Sequence, residues 1–185
     1  MSVGVAGAIG CGNDAAVDSD EQARRAYLGL DLSVDKSIEL GFAGFNAAAS
    51  ANIPTETSVG NKAGTLTVTG QVDQGASKNK GMRLAAAFVN YSDVDKYVYD
   101  TDPARPSPAL NMMLKDIPSG TLDGTLNGDF GMRGDLQGVV TLALTFTATL
   151  EPDPAGGIVH RAPGTTHITG TAVSPAGTYT VDVMK

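Results

Sequence analysis

The sequence predicts a mainly β protein of the α+β class, in which a curved antiparallel meander sheet or partial barrel of about eight strands packs on one long N-terminal helix. Three observations predict this. Apolar residues recur at helical spacing over residues 19–52, and the period of the pattern changes to two after residue 64. The 23 glycines and 9 prolines favour many short elements joined by turns. With 185 residues, the chain is long enough for a domain with a substantial core.

The predicted helix begins after Ser19, whose hydroxyl can cap it. Asp20 and Glu21 then lie over the positive end of the helix dipole, and Gln22 occupies the reciprocal capping position. We expect the helix to run to Asn52 and to end before Pro54. Its apolar face is formed by Ala23, Tyr27, Leu30, Val34, Ile38, Phe42, Phe45 and Ala49.

Two forms of this helical segment fit the pattern. It is either one helix of about 30 residues, about 45 Å long at 1.5 Å per residue, or two helices broken near residues 29–33. Gly41 and Gly44 lie inside it. Because glycine in a helix interior costs about 1 kcal/mol relative to alanine, we expect another element, most simply the sheet, to pack against the backbone there.

Strands are predicted wherever apolar and polar residues alternate. The alternation is clearest in three segments, residues 64–73, 121–130 and 140–150. Further strands are predicted at residues 82–91, 96–100, 109–115, 165–173 and 178–184. Leu142, Leu144 and Phe146 are expected to be buried, with the threonines between them facing water.

A sheet with one apolar face must cover that face, and the helical segment is the obvious cover. Gly124 and Gly128 are expected on the inner face of their strand, where they bend it or make room for the helix. The alternative architecture is a sandwich of two sheets with the helix outside.

The N-terminal residues are interpreted as a separate segment. Residues 1–18 read as a signal remnant and an acidic tether, ahead of a single domain over residues 19–185. Ala8-Ile9-Gly10-Cys11 resembles the lipobox of bacterial lipoproteins, with Ala8 where that pattern usually has Leu. The resemblance implies an exported protein anchored by lipid on Cys11, in the periplasm or at the outer membrane. A short tail with a chance cysteine is the alternative.

Composition and motifs exclude several functions. The formal net charge of −7 disfavours nucleic acid and anionic membrane surfaces as partners of the folded body. Cys11 is the only cysteine, which excludes an internal disulfide framework and a thiolate metal cage. Signature motifs of serine hydrolases, zinc proteases and nucleotide-binding loops are missing from the sequence, and no cofactor is expected.

The densest polar segment, residues 91–102, is the candidate ligand surface. It carries four carboxylates that could offer oxygen ligands to Ca²⁺, on Asp93, Asp95, Asp100 and Asp102. Tyr97 and Tyr99 could stack on a sugar. The segment matches no known Ca²⁺ loop, and a solvated edge strand with its loop is the alternative. His160 and His167 are interpreted as exposed hairpin residues, with a metal pair as the alternative.

The sequence therefore predicts a non-enzymatic lipoprotein of the cell envelope, which binds or carries a partner or an apolar ligand beneath a concave sheet. The first alternative is a structural or adhesive surface subunit, acting through the segment 91–102 and through threonine-rich strands. An enzyme of unknown type is the third hypothesis.

Overall fold

A computed structural model describes residues 17–155 and 157–185. The lipobox-like motif, Cys11 and most of the predicted tether lie outside the described residues, so the predictions made for them stay predictions.

The helical segment consists of two α-helices, α1 (Asp20–Leu28) and α2 (Asp31–Ala47), which is the second of the two forms expected. Ser19 caps α1 by accepting a hydrogen bond of 3.4 Å from the Gln22 backbone N–H. The break falls at Gly29, where a Cβ atom would lie 2.1 Å from the hydroxyl oxygen of Tyr99. Residue 29 must therefore be glycine for the Tyr99 side chain to reach the helix.

The helix ends at Ala47, so the predicted end at Asn52 was wrong. Residues that follow form an additional strand, β1 (Asn52–Val59), and Pro54 lies inside it. The pairing of β1 shifts its register between Ile53 and Glu56, at the position of Pro54. Because proline is tolerated at a bulge in an edge strand, Pro54 did not have to mark the end of a helix.

Strands make up 54% of the chain, which confirms the mainly β class. There are ten strands among the described residues, two more than the sequence predicted, and the additional ones are β1 and β8. The others are β2 (Ala63–Val72), β3 (Lys80–Ser92), β4 (Tyr97–Asp100), β5 (Ala109–Lys115), β6 (Thr121–Gly134), β7 (Gly138–Pro152), β8 (Val159–Arg161), β9 (His167–Ser174) and β10 (Gly177–Met184).

The strands form a meander in which every neighbouring pair is antiparallel. Their order is β1-β2-β3-β4-β6-β7-β9-β10. Strands β4 and β5 occupy the same place between β3 and β6, one at each end, and β8 pairs only with the end of β7. The sheet is thus eight strands wide, with β1 and β10 as its edges.

The inner face of the sheet, toward the helices, is buried. Leu142, Leu144 and Phe146 are at most 2% exposed, which confirms the alternation predicted for β7. Tyr27 and Ile38 of the helices are fully buried in the same core, so the helices lie inside the fold and not outside a sandwich.

Glycines set the distance between the helix and the sheet. A Cβ atom on Gly41 would lie 2.9 Å from the sulfur of Met82, and one on Gly44 would lie 2.8 Å from Cβ of Ile53. The expected contact between the helix backbone and the sheet is therefore confirmed.

Gly124 and Gly128 make room for other groups than the helix. A Cβ atom on Gly124 would lie 2.3 Å from Cζ of Phe146, and one on Gly128 would lie 2.6 Å from Cα of Pro108. The expectation that these residues make room for the helix was wrong, because the nearest atoms belong to Phe146, Asn111 and Pro108. The alternative expectation, that they bend the strand, stays a prediction.

Both edges of the sheet meet the helical segment. On β10, the Thr180 backbone N–H donates a hydrogen bond of 2.7 Å to the Asp20 carboxylate of α1. On β1, the Lys36 ammonium of α2 donates one of 2.9 Å to the carbonyl oxygen of Val59. These contacts occupy backbone groups that an exposed edge would offer to another chain.

Candidate ligand groove

Four neighbouring strands, β3, β5, β6 and β7, are in register in the middle of the sheet. Met82 pairs with Met112, Met112 with Gly124, and Gly124 with Phe146. The side chains of this row point to the inner face. Since side chains alternate along a strand, the residues directly before and after each of these four in the sequence point to the outer face. They form two parallel rows: the Arg83 row, of Arg83, Asn111, Thr125 and Thr145, and the Met113 row, of Gly81, Met113, Asp123 and Thr147.

An open cavity of about 520 Å³ lies along these residues, and we call it the transverse groove. Its walls are the two outward rows, and its floor is the backbone of the row between them. The walls lie two residue steps apart along each strand, or about 7 Å, and the distance from β3 to β7 is about 14 Å. The volume falls within the range of small-molecule sites in proteins.

Beyond each end of the transverse groove, a pair of polar side chains links the Arg83 row to the Met113 row. Beyond β3, the Arg83 guanidinium lies 3.3 Å from the carboxylate of Asp73, which pairs with Gly81 and so continues the Met113 row. Beyond β7, His167 Nε2 lies 2.9 Å from the carboxylate of Asp182. Asp73, His167 and Asp182 are not among the residues that line the groove.

The charged side chains of the walls have partners in the protein. Arg83 contacts Asp73, and the Asp123 carboxylate lies 3.0 Å from the Lys115 ammonium. Among the uncharged polar side chains of the walls, those of Asn111 and Thr147 are exposed to water and that of Thr125 is half-buried. The groove thus offers neutral donors and acceptors at the sides of a mainly apolar surface, rather than unpaired charge.

The structure disperses the candidate residues of the segment 91–102. Asp93 is buried, and its carboxylate accepts hydrogen bonds from the Lys36 ammonium at 2.5 Å, from the Asn61 N–H at 2.9 Å and from the Tyr91 hydroxyl. Burial and the bond to Asp93 raise the pKa of Tyr91. Asp95 is exposed beside Lys62, at 3.2 Å.

The two candidate tyrosines differ in position. Tyr99 is fully buried, and its hydroxyl donates a hydrogen bond of 2.8 Å to the carbonyl oxygen of Ala26. Burial raises its pKa, and its ring is not available to stack on a ligand. Tyr97 is half-buried and packs against the core.

Asp100 and Asp102 lie on the outer face and line a second cavity of about 290 Å³, with Arg105 and Asp129. Asp100 is paired with Arg133 at 2.6 Å, and Arg105 with Asp129 at 2.5 Å. Among residues 17–155 and 157–185, no group of three or more potential ligand side chains is placed to hold a metal ion. The Ca²⁺ hypothesis stays a prediction from sequence alone.

A buried ionic cluster, which the sequence analysis missed, joins α2 to β8 and to the end of β10. The side chain of Arg161 is 4% exposed and lies 2.9 Å from the Asp31 carboxylate and 2.7 Å from that of Asp35. The Tyr27 hydroxyl donates a hydrogen bond of 2.6 Å to Asp31, and the Lys185 ammonium donates another. A cavity of about 200 Å³ lies beside the cluster.

The groups of this cluster perturb one another's pKa. Burial raises the pKa of Asp31, but the charge of Arg161 and the hydrogen bonds from Arg161, Lys185 and Tyr27 outweigh it, so that this pKa lies below its ordinary value. Burial and the nearby Asp31 charge raise the pKa of Tyr27. Since each polar group already has a partner, we interpret the cluster as a structural clamp rather than a binding site.

Comparisons with protein-family models, with curated proteins and with solved structures find no match to this chain. Within the described ranges, no helix has the length and apolar character needed to cross a bilayer.

The transverse groove was not predicted from the sequence. The alternation in β7 correctly predicts that its threonines face outward, but the walls combine residues from four strands. Only the register of those strands brings Asn111, Asp123 and Thr147 to one place, and no local pattern encodes that register.

Proposed function

We propose that the protein is an exported, non-enzymatic lipoprotein of the bacterial cell envelope, in the periplasm or at the outer membrane. Lipid on Cys11 anchors it, and its body binds a ligand in the transverse groove. The lipobox-like residues Ala8 to Cys11 support the anchor. The single observation that supports binding is the cavity of about 520 Å³ between two rows of outward side chains.

Core side chains occupy the inner face, which the sequence analysis favoured as the ligand site. Met82, Met112 and Phe146, directly beneath the groove, are at most 4% exposed. A ligand entering there would have to displace close-packed side chains, which is costly. The outer face offers an open cavity without this cost.

A structural or adhesive subunit is the second candidate, and the threonine-rich outer face favours it. Hydroxyl oxygens of Thr57 and Thr67 are 3.2 Å apart across β1 and β2, and those of Thr145 and Thr169 are 3.0 Å apart across β7 and β9. Ordered rows of threonine hydroxyls of this kind favour side-by-side packing of one copy of the protein against another. Analytical ultracentrifugation distinguishes the two, because a subunit forms concentration-dependent assemblies and a monomeric binding protein does not.

The anchor is tested on the native protein in the cells that produce it. We expect the protein in the membrane fraction and, by intact-mass spectrometry, a mature chain that begins at a diacylglycerol-modified Cys11. A Cys11→Ser variant should lose the added mass and move to the soluble fraction. An unmodified Cys11, or membrane association that survives the substitution, contradicts the proposal.

A further inference from the structure

We propose that the transverse groove binds a neutral oligosaccharide, lying across the strands from β3 to β7. This inference rests on the proposed function, in which the groove is a ligand site, and it names the class of ligand.

The charges of the walls favour a neutral ligand. Arg83 and Asp123 are the charged side chains of the walls, and each is paired with a neighbouring residue of opposite charge. A charged ligand would have to compete with those pairs, and the chain's net charge of −7 adds repulsion for an anion. A neutral ligand meets neither cost.

Hydrogen-bonding groups of both kinds line the walls. The side chains of Asn111, Thr125 and Thr147 line the groove with both donors and acceptors, and those of Asn111 and Thr147 are exposed. A sugar carries hydroxyl groups along its whole length, each able to donate and to accept. The two walls can therefore bond such a ligand along both of its edges.

The shape of the groove also favours a sugar. The side chains of the middle row point into the core, so the floor is formed by sheet backbone. An extended peptide would place side chains toward this floor, and it would lie across the strands, where it cannot pair with them. Met113, which is 42% exposed, and the threonine methyl groups can cover the apolar C–H faces of sugar rings.

The probes are four neutral hexasaccharides: cellohexaose, chitohexaose, maltohexaose and xylohexaose. Each is titrated into the full chain by isothermal calorimetry. We expect saturable binding of at least one of them. Asn111→Ala should weaken that binding about tenfold, because it removes a hydrogen-bonding group that the ligand uses. Asn127→Ala is the matched control, since Asn127 lies on the outer face of β6 outside the groove and should leave affinity unchanged.

A second pair of variants tests the place of binding by filling space. Thr147→Trp puts a large ring into the groove and should abolish binding, whereas Thr178→Trp, on the outer face of β10, should not. Equal denaturation midpoints show that all four variants are folded.

Absence of binding by all four hexasaccharides overturns the inference, as does an equal effect of the groove variants and their controls. A neutral Gly-Ser dodecapeptide is a further probe. If this peptide binds, if Thr147→Trp abolishes its binding and if no hexasaccharide binds, the inference that the ligand is a sugar is overturned, but the groove remains a ligand site. The anchoring half of the proposed function fails separately, through an unmodified Cys11.

Discussion

Arg161 is the residue whose loss the fold should tolerate least. Its guanidinium is buried between the carboxylates of Asp31 and Asp35, on the helix that covers the sheet. Arg161→Met replaces the apolar stem of the side chain with one of similar size but removes the guanidinium, and so leaves Asp31 buried without its main partner. We expect the free energy of unfolding, measured in urea, to fall by about 3–5 kcal/mol.

Arg133→Met is the matched control for this prediction. Arg133 pairs with Asp100 at 2.6 Å, but its side chain is 60% exposed. Exposed pairs contribute less than about 1 kcal/mol. Similar losses in the two variants would contradict the view that the Arg161 cluster clamps the helix to the sheet.

Asp31 should make stability depend on acid pH. Its pKa lies below the ordinary value of 3.8 because its partners outweigh its burial. A carboxyl group whose pKa is lower in the folded state contributes stability that is complete above its unfolded pKa. That stability is lost as the pH falls through the folded value. We therefore expect the free energy of unfolding to decline below about pH 4, and to decline less in Asp31→Asn.

The measurement is urea unfolding at a series of pH values from 7 to 2. Asp95→Asn serves as the control, because Asp95 is exposed and its pair with Lys62 is solvated. An acid decline of the same size in Asp31→Asn as in the native chain would show that Asp31 is not its source.

At the scale of the element, Gly41 and Gly44 of α2 should respond differently to the same substitution. Alanine gains about 1 kcal/mol of helix propensity at either position. At Gly41 the new Cβ meets the sulfur of Met82, which can rotate away, whereas at Gly44 it meets Cβ of Ile53, which is fixed to the strand. We expect Gly41→Ala to be neutral or stabilising, and Gly44→Ala to destabilise the fold by about 1–2 kcal/mol.

Thermal and urea unfolding of the two variants checks this prediction, and each is the other's control. Equal effects of the two substitutions would mean that the helix shifts on the sheet as a rigid rod, so that the stiffness of the facing side chain does not matter.

The elements that the sequence predicted are those whose pattern is local. Leu142, Leu144 and Phe146 alternate with polar residues and are buried as expected. The helix end predicted from Pro54 was wrong. The effect of a proline depends on whether its strand lies at an edge of the sheet, and that is a property of the whole sheet. The positions of the groove walls could not be predicted from the sequence for the same reason. Asn111 and Thr147 lie 36 positions apart in the sequence, and only strand register places them together.

At the scale of the whole molecule, the helices complete a fold that the sheet alone leaves open. Strands β1 and β10 are not paired with each other, and the helical segment contacts both. The core is one continuous cluster that includes residues of both helices and of the sheet's inner face. The outer face and the ends of the fold are therefore the surfaces that the core leaves open.

The described chain begins far from the transverse groove. Val17 is buried, and its carbonyl oxygen accepts a hydrogen bond of 2.5 Å from Ser174, at the end of β9. Val173 pairs with Thr141 of β7, and Thr145 and Thr147 of the groove follow four and six residues later on that strand. The groove thus lies about 13–20 Å farther along the sheet.

Under the proposed anchor on Cys11, this geometry predicts how the protein is oriented. The six steps of chain from Cys11 to Val17 span at most about 22 Å, so lipid on Cys11 would hold the Ser174 end near the membrane and leave the groove farther from it. The test places a single dye on Thr178→Cys or Thr147→Cys of the lipidated chain, bound to phosphatidylethanolamine–phosphatidylglycerol vesicles that carry a headgroup acceptor. We expect stronger energy transfer from position 178 than from position 147. Equal or reversed transfer would contradict this orientation, and labelling with two dyes per chain would show instead that Cys11 carries no lipid.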